Sequence, residues 1–451
     1  MTNPLQSLIK VRREELPLSL LMFSYFFLVI TSFWVLKPVK SAIFIEFYDQ
    51  TGFDFLTLQL TAAQAELLAK ILNMVVAFVA VIAFTLLSRR LQRQRLTYVF
   101  MAFFLAGYIF YSFGIDAPSD GTVWTFYLFG DLWTTLMVTT FFAFLNDSVT
   151  PGGAKRMYGL VVLGGVVGGA FGSTFVRVWI ASLATSHWLW ICFGMGVAIM
   201  VVAGVAGRLV ERNPPPVRAA EAQPEVKSSN PALEGARLVL RSPYLLSIVT
   251  IVGLYEITSQ VLDFQFKATI SHYLDGPEIG RQMTTIYAIS NWVSMLVQLF
   301  LTNFLMNRYR LNVSLLVLPA AIALGSGCFL AFPILWIGSL LNTADSGFAY
   351  SINQSAKEAL YVPTSREEKY RAKAFIDMFI QRFAKVLAIG VSLATTTYFT
   401  DFSSVQWLAL FTLLIVAVWG YAAVYAGKRF EALSERVQPD APTSEVSAEG
   451  R

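Results

Sequence analysis

Ile30–Ile43, ITSFWVLKPVKSAI, recurs in altered form at Ile257–Ile270, ITSQVLDFQFKATI. Both copies open with Ile-Thr-Ser, and in both a lysine stands eight places after the serine: Lys40 after Ser32 and Lys267 after Ser259. Each copy lies inside a long apolar run. A lysine at membrane depth costs roughly 2.5–3.5 kcal/mol on insertion scales, so it is expected to face an internal cavity and to have a purpose there. Two such lysines at matched places in two halves point to a duplicated membrane protein with a cationic central site.

Composition agrees. Of 451 residues, 56% are hydrophobic and 14% charged, whereas soluble domains carry roughly 25% charged residues. The net charge of +5 calls for no nucleic-acid partner, because cytoplasmic loops of membrane proteins are rich in Lys and Arg. Cys192 and Cys328 fall within apolar spans, with neither metal-ligand spacing nor the pattern of a disulfide framework. The opening MTNPLQSLIKVRREE leads into an apolar run longer than 20 residues, which reads as a first span and not a cleavable signal.

At about 20 apolar residues per crossing, twelve spans are expected, near 16–38, 65–88, 97–115, 123–146, 157–182, 188–207, 244–268, 282–306, 312–331, 334–354, 373–397 and 405–427. The loops alternate in charge as real spans require. One side carries Arg12 and Arg13, then SRRLQRQR with Arg89 to Arg95, then Lys155 and Arg156, Arg308 and Arg310, the Arg366–Lys373 segment, and Lys428 and Arg429. The other side holds a single cation, Arg281. Both termini are therefore expected in the cytoplasm. Residues 209–240, rich in Pro, Ala and Glu and without apolar period, read as a flexible cytoplasmic linker between a six-helix half at 1–208 and a second at 241–430. The tail at 431–451 is expected to be disordered. The fold class is thus an all-α integral membrane protein of two six-helix halves about a central cavity, the major-facilitator plan.

In the fifth span, LGGVVGGAFGS repeats Gly164, Gly168 and Gly172 every four residues, with Gly165 and Gly169 beside them. Such a small-residue stripe lets helices approach closely. A phosphate-cradling loop needs a preceding strand and a following Lys-Ser/Thr, and neither is present.

The spans and their edges carry the cations Lys37, Lys40, Lys70, Arg177, Lys267, Lys357, Arg382 and Lys385, and the acids Glu66, Asp131, Asp147, Glu256, Asp263, Asp345 and Asp377. Lys37 and Lys40 share a helix face, as do Arg382 and Lys385. Asp263 with Lys267, and Glu66 with Lys70, are four apart and expected as local pairs. A multiply anionic substrate suits such a cavity, since phosphate oxygens accept charge-assisted bonds from Arg and Lys. Acids would hold the cations in its absence, and exchange of partners would couple binding to a conformational switch. The plainer alternative is that the charges only bridge helices. Tyr255, Tyr287 and Trp292 could stack on a base. No metal cluster or nucleophile elbow emerges, so neither an enzyme nor a cofactor is expected.

FFAFLNDSVTPGGAKRMYGLVVLG at Phe141–Gly164, AKEALYVPTSREEKYRAKAFIDMFIQRFAKV at Ala356–Val386 and VLDFQFK at Val261–Lys267 resemble stretches of the nucleotide transporter family of bacteria and plastids, the ATP/ADP translocases. The resemblance implies two transport lysines and two transport acids, which fall on Lys40, Asp147, Asp263 and Lys357. Here both acids are aspartates where the family has glutamates, and Lys-Pro-Val-Lys-Ser at 37–41 replaces the family's Arg-Asp-Thr-Lys-Asp. Taken with the residues themselves, the expected substrate-binding set is Lys37, Lys40, Asp147, Asp263, Lys267, Lys357, Arg382 and Lys385. The expected activity is ATP:ADP antiport by a monomer in a bacterial inner membrane. A carrier for another organic or phosphorylated anion, and a non-transporting membrane protein that recruits a partner, stand as alternatives.

Overall fold

The computed structural model describes residues 12–49, 51–55, 58–91, 93–149, 151–212, 231–364, 372–399 and 401–437. Residues 213–230 of the expected linker, 366–371 of the basic segment and 438–451 of the expected tail lie outside these. The first half consists of α1 (Leu16–Tyr48), a hairpin of β1 (Phe53–Phe55) and β2 (Leu58–Leu60), α2 (Ala62–Arg90), α3 (Arg93–Ser112), α4 (Asp120–Ser148), α5 (Pro151–Trp179) and α6 (Thr185–Arg212). A short helix α7 (Pro231–Arg241) precedes the second half: α8 (Pro243–Tyr273), α9 (Pro277–Thr302, prolonged by Asn303–Arg308), α10 (Leu311–Ala331), α11 (Leu335–Phe348, a π-helical turn at Ala349–Asn353, then Gln354–Leu360), α12 (Lys373–Phe375, a π turn at Ile376–Ile380, then Gln381–Tyr398) and α13 (Ser403–Val437).

Ten of these helices are long and apolar enough to cross a membrane. The expected tenth and eleventh spans fall on α11 and α12. Both are helical, but Asp345, Lys357 and Glu358 in one, and Lys373, Asp377, Arg382 and Lys385 in the other, lower their apolarity. Several boundaries differ from the sequence reading, and residues 209–212, expected as linker, end α6. Helix α1 runs through Pro38 to Tyr48, because Phe44, Ile45 and Tyr48 bury themselves between the halves. Residues 231–240, expected as flexible linker, form α7, whose Val239 and Leu238 pack on the second half's core. Residues 431–437, expected as tail, continue α13, with Leu433 on the same core.

Local chemistry sets the helix starts. Thr61 and Gln64 form a capping box at α2: the Thr61 Oγ1 accepts from the Gln64 N–H at 3.4 Å, and the Gln64 Oε1 accepts from the Thr61 N–H at 2.8 Å. Ser242 caps α8 by accepting from the Leu245 N–H at 3.3 Å.

The glycine stripe of α5 lies against α1. A Cβ on Gly164, Gly168 or Gly172 would stand 2.5, 2.6 or 2.8 Å from the carbonyl oxygens of Phe23, Phe27 and Thr31 respectively. No side chain fits in that seam without moving backbone. Gly168→Val should therefore lower stability by about 1–3 kcal/mol. Gly194→Ala, where a Cβ meets nothing within 4 Å, should leave the thermal midpoint of the detergent-purified protein unchanged.

Candidate functional site

A cavity of about 430 Å³ lies between the halves, walled by α1, α2 and α4 on one side and by α8, α9, α11 and α12 on the other. At the end of the bundle where α1 and α8 finish, it is sealed by an apolar cluster that joins Phe44, Tyr48 and Tyr127 to Phe266, Ile279 and Met283. Hydrogen bonds stitch the same seam: Gln64 Nε2 donates to Thr396 Oγ1 at 2.9 Å, and the Gly280 N–H donates to Glu46 Oε1 at 3.1 Å. A second recess of about 510 Å³ adjoins the cavity through Tyr255, Ser259 and Lys385 and extends toward the opposite end, where Lys357 and Tyr361 line it.

The repeated lysines occupy this cavity. Lys40, 4% exposed, donates to Asp131 of α4 and stands 3.7 Å from the centre of the Tyr127 ring. Gly130 makes room for its stem, since a Cβ there would be 2.7 Å from Lys40 Cδ. Lys267 donates to Glu66 of α2 at 2.7 Å and to Asp263, one turn away on its own helix, at 3.0 Å. Lys70 of α2 donates to the same Asp263. Glu66, 1% exposed, also accepts from Ser41 at 3.2 Å and from Tyr127 at 3.0 Å.

Glu66 and Lys70 therefore do not form the local pair that their spacing suggested. Each helix carries an acid four residues before a base. Side by side in opposite directions, α2 and α8 set Glu66 against Lys267 and Lys70 against Asp263. A buried charge needs a counter-charge at close range, and the facing helix supplies a nearer one than the exposed face of the same helix could. The result is a crossed lattice that ties one half to the other.

Lys37 sits among aromatic rings, 4.7 Å from Trp34 and 5.1 Å from Tyr287, a cation–π setting. Lys385 approaches Glu256 at 3.6 Å, and Lys357 lies 4.7 Å from the Tyr255 ring. Arg382 projects, exposed, into the cavity. Neither Lys37 nor Arg382 has an ion-pair partner among the described residues.

Of the expected set, Lys37, Lys40, Asp263, Lys267, Arg382 and Lys385 line the first cavity, and Lys357 with Lys385 lines the second. Asp147 is exposed near the end of α4 and lines neither. Asp131, four turns earlier on that helix, is the acid that meets Lys40. Asp131 and Asp345 had been distinguished only as charges at membrane depth, and Glu66 and Lys70 as such charges and as an expected local pair. The mirrored acid–base spacing of Glu66–Lys70 and Asp263–Lys267 was the one available signal for the lattice.

The profile of the Major Facilitator Superfamily matches residues 22–370. The chain belongs to that superfamily. The profile of the TLC ATP/ADP transporter matches residues 331–430. The chain is 24% identical over 360 residues to the chloroplastic ADP,ATP carrier protein 1 of Arabidopsis thaliana, covering 69% of this chain and 55% of that one. It is 24% identical over 364 residues to ADP,ATP carrier protein 1 of Chlamydia pneumoniae, covering 69% and 68%. The chain thus spans little more than half the length of the plastid relative. Among solved structures, nucleoside transporter NupG (D323A mutant) matches with a TM-score of 0.62 at 13% identity, over 92% of this chain and 99% of that one. A bacterial homolog of the human lysosomal transporter Spinster matches with a TM-score of 0.57 at 13% identity, over 94% and 98%. These two likenesses show the superfamily fold alone.

In this cavity, neutralising one partner of the Glu66–Lys267 pair strands a buried charge and should cost about 3–5 kcal/mol. Glu66→Gln and Lys267→Met are each expected to lower the thermal midpoint. The double variant should recover part of the loss, because neither charge is then left alone. Additive losses would show that the pair is not coupled.

Proposed function

We propose that this protein is a nucleotide transporter that exchanges ATP for ADP across a bacterial inner membrane by alternating access. In this reading it is a multi-pass monomer with both termini in the cytoplasm, and it performs no covalent chemistry. The observation that carries the reading is the cavity itself. Lysines and an arginine from both halves converge on one space, and two of them, Lys37 and Arg382, lack a carboxylate partner among the described residues. Two unclaimed cations beside a set of claimed ones suit a ligand with several negative charges. The names of the relatives, ADP,ATP carriers of plastids and Chlamydia, favour nucleotides over other anions.

The physical route is an exchange of partners. Lys267 and Lys70 hold Glu66 and Asp263 and keep the halves together at the sealed end. Phosphate oxygens entering the cavity compete for those ammonium groups, with charge-assisted bonds of similar strength. A ligand shifts a conformational equilibrium only by its differential affinity for the two states. Loosening the lattice while binding Lys37 and Arg382 supplies such a difference. With both termini in the cytoplasm, the sealed end faces outward and the recess at Lys357 faces the cell interior. Tyr287 and Tyr255, beside the cations, offer ring faces to a base.

The test is uptake of labelled ATP and ADP by proteoliposomes loaded with unlabelled nucleotide, with other nucleotides and phosphorylated metabolites as competitors. Removing one charge-assisted contact forfeits about 1.5–3 kcal/mol. Lys37→Ala or Arg382→Ala should therefore raise the half-saturating concentration about tenfold or more, with protein levels maintained. Asp131→Asn should impair uptake more than Asp147→Asn. Unaltered uptake in Lys37→Ala, Arg382→Ala and Lys40→Ala alike would remove the cavity from the mechanism.

A further inference from the structure

Tyr127 of α4 stands where three parts of the molecule meet. Its side chain is 2% exposed and lines the cavity. The ring carries the Lys40 ammonium on its face, 3.7 Å from the ring centre. Its hydroxyl donates to Glu66 Oε1 at 3.0 Å, and the ring meets Phe44 of the seal edge to face, 5.1 Å between centres. One turn further along α4, Asp131 accepts from the same Lys40 ammonium. Helix α4 thus holds Lys40 by a carboxylate and by a ring, and the ring is held at its far end by a second carboxylate.

That second carboxylate is the one that latches the halves. Glu66 Oε1 accepts from Lys267 of the second half at 2.7 Å, and from Tyr127 and Ser41 of the first half at 3.0 and 3.2 Å. The two hydroxyls aim the carboxylate at Lys267. A cation over the face of a tyrosine draws on the electrons of the ring and makes its hydroxyl the better donor. The two contacts of Tyr127 therefore support each other. We propose that Tyr127 is a positioning residue that makes the Glu66–Lys267 latch depend on whether substrate has engaged Lys40. An anion that draws Lys40 from Asp131 and from the ring takes away what pins the ring. The hydroxyl then leaves Glu66, the carboxylate loses an aiming bond, and the latch yields. With the cavity empty, Lys40 stays on the ring and the sealed end stays shut. The link is reciprocal: a loosened latch eases the passage of Lys40 to the anion. The inference rests on the transport reading above and gives it a cause for exchange, since an empty carrier is held closed and a filled one is not.

Proteoliposomes loaded with labelled ADP and diluted into buffer with or without ATP test it. The wild type should retain its label without ATP and release it with ATP. Tyr127→Phe keeps the ring under Lys40 and removes one hydrogen bond to a charged group. Release without ATP should rise about tenfold or more, with the half-saturating ATP concentration unchanged. Gly130→Ala approaches the link from the other side. Its Cβ would stand 2.7 Å from Lys40 Cδ and displace the ammonium from the ring with Tyr127 intact, so it should leak in the same way. Tight retention in Tyr127→Phe overturns the proposal, whatever happens to its half-saturating concentration. A leak in Tyr127→Phe beside tight retention in Gly130→Ala also overturns it, because the hydroxyl then acts without Lys40. If the wild type releases nothing in response to ATP, the nucleotide reading fails, and melting of the purified protein decides the link. The effects of Lys40→Met and Glu66→Gln on the midpoint should be coupled in the wild type and coupled less once Tyr127→Phe is present. Equal coupling in the two backgrounds overturns the link.

Discussion

A charge inside a membrane protein must find its opposite within a few ångströms, and this structure is arranged around that demand. Lys267 meets Asp263 on its own helix and Glu66 across the seam, and Glu66 has no other ion-pair partner among the described residues. Their contact at 2.7 Å therefore does two things together. It neutralises both groups, and it fixes how the two six-helix halves meet. Lys70 and Asp263 repeat the arrangement one turn along. The apolar seal of Phe44, Phe266 and Met283 adds area to the same seam, but it is not directional. The crossed charges set the register.

That lattice also makes the cavity responsive. An apolar seam alone would be indifferent to an entering anion. A seam held by ammonium groups is sensitive to any ligand that competes for them, because the same donors serve both contacts. The glycine seam between α1 and α5 plays the complementary part. It locks two helices of one half at backbone contact.

Much of the architecture could be read directly from the chain. Apolar length located the helices, and the repeated Ile-Thr-Ser marked two lysines that both line the cavity. The glycine repeat announced a close helix contact, although not that α1 was the neighbour. What remained hidden was long-range pairing. Spacing tells which residues share a face and is silent about what that face meets, so Glu66 and Lys70 looked like partners of each other. The same blindness favoured Asp147, found by resemblance of its surrounding motif, over Asp131, which reaches Lys40 only because of where α4 crosses α1. Residues 231–240 looked like linker because Pro, Ala and Glu dominate the composition nearby, while the apolar side chains that anchor α7 are too few to give a pattern.

Gln64 has one carboxamide and two duties. Its oxygen holds the first turn of α2 through Thr61, and its nitrogen reaches across to Thr396. Because the two bonds use different atoms of one planar group, separating the halves leaves the cap intact and exposes only the nitrogen. The helix end would keep its shape throughout a transport cycle. If the halves part as proposed, that amide nitrogen exchanges a hydroxyl for water while the first turn of α2 stays capped.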